Sequence, residues 1–81
     1  MPKSNDFAVL ISLSEDKFAG FAQDLKHYYE EDDAYIGLVS SVGRRCRGIL
    51  IRCNSTAIAD EIKSLAVEFW GGEVLATEHR G

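Results

Sequence analysis

The stretch "RGILIRC", residues 47–53, decides which way the sheet of this protein faces. Side chains alternate between the two faces of a strand, so Ile49, Ile51 and Cys53 share one face and Leu50 and Arg52 share the other. Burying an unpaired arginine costs several kcal/mol. We therefore expect Ile49 and Ile51 to contact the core, and Leu50 and Arg52 to face outward.

The patterns on either side of this strand predict five further elements. Short runs rich in strand-forming residues lie at 7–13 ("FAVLISL"), 35–40 ("YIGLVS") and 73–78 ("EVLATE"). Helices are expected after Ser14, which can cap the first, and after "NST" at 54–56. The resulting order, β-α-β-β-α-β, is the ferredoxin-like arrangement of the α+β class: a four-stranded antiparallel sheet with both helices on one face. Right-handed crossovers place the first and third strands in the centre.

Each predicted helix carries an apolar stripe at helical spacing. The first comprises Phe18, Phe21, Ala22, Leu25 and either Tyr28 or Tyr29; the second comprises Ile58, Ile62, Leu65, Ala66 and Phe69. The chain is expected to form one domain over residues 1–81, with tails at 1–6 and 79–81.

Composition narrows the function classes. The chain has 81 residues, 46% of them hydrophobic, and a net charge of −4, which argues weakly against general affinity for nucleic acid. Its apolar runs fall short of the roughly 18 residues that a membrane span needs, so no membrane partner is expected. Cys46 and Cys53 lie about 23 Å apart if both are on one strand at ~3.3 Å per residue, too far to form a disulfide. Reduced thiols in a cytoplasmic protein are the expectation.

The outward face of the predicted sheet is the leading candidate site. It centres on Leu10 and Leu50, and an apolar patch on an open sheet face is typical of a surface that binds a protein. The expected partner is a second copy, in a homodimer or higher oligomer, or another protein. The expected contact residues are Leu10, Tyr35, Val39, Leu50, Arg52 and Leu75.

The arginines around residue 45 suggest an alternative. Arg44, Arg45 and Arg47 lie beside Gly43 in the predicted hairpin turn and could hold phosphate or carboxylate by charge-assisted bonds. The acidic run 30–33 of one copy could also dock against this turn in another copy and set the register of an assembly. The element order and the pair Arg47–Gly48 resemble the RNA recognition motif family. That resemblance implies nucleic-acid binding on the two central strands, where aromatic side chains stack on bases. Here Ile49 and Ile51 occupy the expected aromatic positions of the third strand.

The remaining polar residues form no recognisable catalytic or metal-binding set. His27 and His79 have no second histidine or cysteine at metal-ligand spacing, and the acidic run 30–33 lacks the alternating ligands of a calcium loop. We therefore expect a non-enzymatic, regulatory or interaction protein without a catalytic residue, metal or cofactor. Trp70 is expected either to close the edge of the core or, if exposed, to anchor a partner.

Overall fold

The computed structural model describes residues 7–41, 43 and 45–79. They form four strands and two helices, with a π-helical turn after the second helix. The bounds are β1 (Phe7–Ser14), α1 (Glu15–Tyr28), β2 (Ala34–Ser41), β3 (Cys46–Cys53), α2 (Thr56–Ser64), the π-turn (Leu65–Phe69) and β4 (Glu73–His79).

The four strands form one antiparallel sheet in the order β2-β3-β1-β4. The prediction of an α+β protein with a four-stranded antiparallel sheet is confirmed, and β1 and β3 are the central strands. β2 and β4 are the two edges. No helix in the described part of the chain is long and apolar enough to cross a membrane.

The core lies between one face of the sheet and the helices. Ile49, Ile51 and Cys53 of β3 are completely buried, as the alternation around Arg52 predicted. Both helices contribute to the same cluster, so neither α1 nor α2 lies over the opposite face of the sheet. The buried members of the cluster are Val9, Ile11, Leu13, Phe21, Leu25, Ala34, Ile49, Ile51, Cys53, Ala59, Ile62 and Ala66.

The start of α1 differs from the prediction. Ser14 precedes the helix but makes no side-chain capping bond. Instead the backbone N–H of Glu15 donates to the carbonyl of Arg45 at 2.7 Å. The β2–β3 turn thus satisfies one of the unpaired N–H groups at the helix start, and this bond ties the hairpin to α1. In α2 the expected cap is present, since the Ser55 hydroxyl accepts from Ile58 N–H at 3.2 Å.

The π-turn changes which side chains face the core at the end of α2. Trp70 N–H bonds to the carbonyl of Leu65 at 3.2 Å, five residues back, and this extra residue rotates the end of the helix. Phe69 was predicted to lie in the apolar stripe, and that prediction is wrong, because its side chain is 72% exposed. Trp70 packs against the core cluster instead, and its indole N–H donates to Asp24 Oδ2 at 2.9 Å.

Candidate interaction surface

The face of the sheet away from the helices carries an apolar row that crosses all four strands. Leu10 on β1 pairs with Leu50 on β3. Leu50 pairs with Leu38 on β2, and Leu10 pairs with Ala76 on β4. Paired residues of neighbouring strands point to the same face, so these four side chains form one line, called here the leucine row. Leu38 is 60% exposed.

A register shift in each edge strand completes the leucine row. In β2 the shift lies between Ile36 and Leu38. In β4, Val74 pairs with Ile11 and Ala76 pairs with Leu10, so Leu75 is the extra residue between the two pairs. Such bulges place two successive residues on nearly the same side of a strand. Leu75, 43% exposed, therefore lies on the open face beside Ala76.

The shift in β2 corrects one of the expected contact residues. Val39 was assigned to the open face by simple alternation, but it pairs with Ile49, whose side chain is buried under the helices. Val39 thus lies on the helix side of the edge strand, and Leu38 takes its place on the open face. Gly37 was the available signal, because a glycine inside a strand pattern often marks a bulge.

A row of mostly polar residues borders the leucine row on each side, with the buried Ala8 and Gly48 at two of the central positions. One border is formed in register by Tyr35, Arg52, Ala8 and Glu78, and the other by Ser40, Gly48, Ser12 and Glu73. The stem of Arg52 extends towards β2, since its Cγ and Nε lie 3.6 and 3.7 Å from where a side chain at Gly37 would begin. An apolar centre with a polar rim is the usual anatomy of a protein-binding surface.

The arginines do not form a single patch. Arg47 Nη2 binds Glu15 Oε1 at 2.6 Å, so this arginine already has an anionic partner. Arg45 is exposed at the start of β3, whereas Arg52 lies near the other end of the strand, roughly 20 Å away at ~3.3 Å per residue. Arg44 lies outside the described residues. A phosphate held jointly by the turn and Arg52 is therefore incompatible with the geometry.

The acidic run 30–33 is a defined turn at the other end of β2. The N–H of Ala34 bonds to the carbonyl of Glu30 at 3.0 Å, closing one helical turn. Asn54 fixes this turn by donating from its side chain to Asp32 O at 3.2 Å and to Asp33 Oδ1 at 2.9 Å. Glu30, Glu31 and Asp32 remain exposed. Their charges are thus held in place beside the start of the edge strand.

Of the groups capable of nucleophilic or acid–base chemistry, Tyr29, Glu61 and Cys53 lie near one another. Cys53 is buried, and burial raises the pKa of its thiol, whereas Cys46 is exposed. Burial, and then a 2.7 Å bond from the Tyr29 hydroxyl to Glu61 Oε1, raise the pKa of Tyr29. His27 is exposed beside Tyr28, and the His79 side chain is not described. Within the described ranges, no three His, Cys, Asp or Glu residues are placed to share a metal ion.

Comparison of the chain with protein-family models, curated proteins and solved structures finds no match.

Proposed function

We propose that this protein is a non-enzymatic interaction module of ferredoxin-like arrangement that binds a protein through the open face of its sheet. The observation that carries the proposal is the leucine row, which runs across all four strands at their middle, with mostly polar residues on both sides. Two of its side chains, Leu10 and Leu50, are half-buried even though neither α1 nor α2 covers them. A protein surface placed over the row would remove this apolar area from water, at roughly 25 cal/mol per Å².

A second copy of the chain is the partner that fits the charges of this face. In this homodimer the two sheets pack face to face. They are related by a two-fold axis that lies between the sheets, parallel to the strands and midway between β1 and β3. β2 of one copy then lies over β4 of the other. Arg52, whose stem extends towards β2, lies at the same level of the sheet as Glu78 on β4. Each copy would therefore bring Arg52 towards the Glu78 of the other, which gives the homodimer two favourable charge contacts.

Leu50→Asp is expected to weaken this self-association by at least about a hundredfold, because a carboxylate would be buried at the centre of the contact. Thr77→Asp is the matched control, since it adds the same charge to the same sheet but at an exposed position on the helix side of β4, away from the open face. Sedimentation equilibrium of the three proteins at micromolar to tens of micromolar concentration measures the effect. A wild-type protein that stays monomeric, with Leu50→Asp indistinguishable from it, removes self-association through this face. Capture of another protein by the wild type and not by Leu50→Asp would then assign the face to that partner.

The alternative proposal is that the module binds nucleic acid or a nucleotide phosphate. Its support is the neighbouring pair Tyr35 and Arg52 on the open face, an aromatic ring beside a guanidinium, which is the chemistry that stacks on a base. Arg45 would supply a separate phosphate contact. The single-stranded RNA affinity is expected to fall about tenfold for Arg52→Ala and to decrease with added salt. Absence of binding at low salt, measured by fluorescence anisotropy of a labelled oligonucleotide, ends this alternative.

The two thiols support a cytoplasmic location for the module. Cys46 and Cys53 lie at opposite ends of β3 and are both unpaired. A domain of this size in an oxidising compartment would usually carry disulfides.

A further inference from the structure

A second candidate surface lies along the free edge of β2. In the part of the chain that the structure describes, this strand pairs with β3 alone, so the backbone groups on its other side are unpaired within the sheet. Edge strands that are long and unblocked are the usual templates for pairing with another strand. β2 has eight residues and no proline or charged residue, and its one register shift lies at its middle, at Gly37.

A groove runs beside this edge, between β2 and α1. Its volume is about 770 Å³, and the residues that form its apolar wall are Phe18, Ala22, Leu25, Tyr29, Ala34 and Ile36. An extended chain paired with β2 would place every second side chain into this groove, because alternate residues of the added strand point to the helix side. The groove therefore accepts a strand with apolar residues on one face.

The charges at the two ends of β2 select which strand fits. The acidic turn, with exposed Glu30, Glu31 and Asp32, precedes the strand, and exposed Arg45 follows it. If two copies of β2 pair in antiparallel orientation, the acidic end of each meets the arginine end of the other. Parallel pairing would oppose like charges. At the other edge, β4 carries Glu73 and Glu78, both exposed and acidic, so two β4 strands would repel at both ends.

The register of such a pair follows from the length of the strand. Full overlap of Ala34–Ser41 with its two-fold copy sets Tyr35 opposite Ser40, and Ile36 opposite Val39, of the second copy. Ile36 and Val39 both lie on the helix side. Val39 of each copy would then enter the groove of the other, which gives this half-buried valine of an edge strand a contact that the monomer does not supply.

We propose that β2 is a homotypic edge: two copies of this chain pair antiparallel through β2, forming a continuous eight-stranded sheet with charge contacts between Arg45 and the acidic turn. This interface is separate from the open-face contact, because strand addition occurs in the plane of the sheet. It leaves both open faces on one side and joins their leucine rows at Leu38.

The first experiment measures sedimentation equilibrium in the Leu50→Asp background, so that association through the open face does not contribute. Val39→Lys is expected to raise the dimer dissociation constant at least about tenfold, since an inward-pointing charge on an edge strand blocks pairing. Thr77→Lys is the matched control, because Thr77 lies on the helix side of the opposite edge, paired with Val9. Its dissociation constant is expected to stay within about twofold. Equal effects of the two changes, or a monomer in the Leu50→Asp background, would overturn the β2 edge without touching the open-face proposal.

The second experiment exchanges the charges in the same background. Arg45→Glu alone and the pair Glu30→Arg with Glu31→Arg are each expected to weaken the dimer about tenfold at low salt, and the triple change is expected to restore it. Failure of the triple change to recover any affinity contradicts the antiparallel arrangement.

A cross-link fixes the register. In a Cys46→Ser background, Tyr35→Cys mixed with Ser40→Cys is expected to give an oxidised heterodimer, since a disulfide forms only between Cα atoms within about 7 Å. Tyr35→Cys mixed with Thr77→Cys is expected to give none, and equal yields from both mixtures would refute the register.

Discussion

Replacing Ile51 with aspartate will unfold the domain, whereas the same replacement at Leu50 will leave it folded. The two residues are neighbours on β3, but Ile51 is completely buried under the helices and Leu50 is half-buried on the open face. An unpaired carboxylate in the core costs several kcal/mol in addition to the lost contacts of the isoleucine. A domain of 81 residues is stable by about 4 to 12 kcal/mol in total, so the change at Ile51 removes most or all of its stability.

Two measurements check this prediction. Far-UV circular dichroism is expected to show a helical and stranded protein for Leu50→Asp and an unfolded chain for Ile51→Asp. Thiol labelling gives a second readout, because Cys53 is buried in the folded protein and Cys46 is exposed. One thiol per chain should react rapidly in the wild type and Leu50→Asp, and two in Ile51→Asp. Two reactive thiols in Leu50→Asp as well would mean that Leu50 is part of the core, and the open-face proposal would lose its foundation.

The orientation of β3 could be predicted because it depends on local alternation and on the high cost of burying Arg52. The presence of four strands and two helices was predictable for a similar reason, since the strand and helix periods are visible in each segment. Both features are set by interactions between near neighbours along the chain. The same alternation gave the correct core side for β1, where Val9, Ile11 and Leu13 are buried.

Alternation along the strand and helix predicted the wrong face for side chains that follow a single extra residue, in β2 and at the end of α2. The shift after Ile36 moved Val39 to the helix side and brought Leu38 to the open face. The π-turn did the same in α2, where it exposed Phe69 and buried part of Trp70. An insertion of one residue inverts the assignment of the residues that follow it. Its position depends on pairing with distant strands, so periodicity within a segment does not show it.

The groove beside β2 required the structure, whereas the edge position of this strand and a contact between the acidic turn of one copy and the arginine turn of another were expected from the sequence. In the sequence these turns are two charge clusters separated by a strand pattern. The fold places that strand at an edge of the sheet, with one cluster at each end and a groove along its side. A central strand with the same charges would have no free side on which to pair.

Replacing Trp70 with alanine will lower the free energy of unfolding by about 2 to 3 kcal/mol. Fully buried aromatic residues cost ~3–5 kcal/mol when they are replaced by alanine. The smaller value is expected here because Trp70 is half-buried. The indole contributes its packing on the core, its bond to Asp24 Oδ2 and its contact with α1 at Gly20. A Cβ atom at Gly20 would meet the Trp70 ring, so an alanine there forces the indole away from α1. Urea denaturation of Trp70→Ala, followed by circular dichroism, measures the loss.

Two opposing effects decide what Gly20→Ala does. Alanine favours a helix over glycine by about 1 kcal/mol, whereas overpacking against a ring costs about 1 to 3 kcal/mol. In the wild type we expect the overpacking to win, and Gly20→Ala to be destabilising. In the Trp70→Ala background the ring is gone, so the same substitution is expected to be stabilising by up to about 1 kcal/mol. This reversal of sign separates steric exclusion by the indole from any intrinsic requirement for glycine in α1. If Gly20→Ala destabilises both backgrounds equally, steric exclusion by the Trp70 indole is not the reason that position 20 of α1 requires glycine.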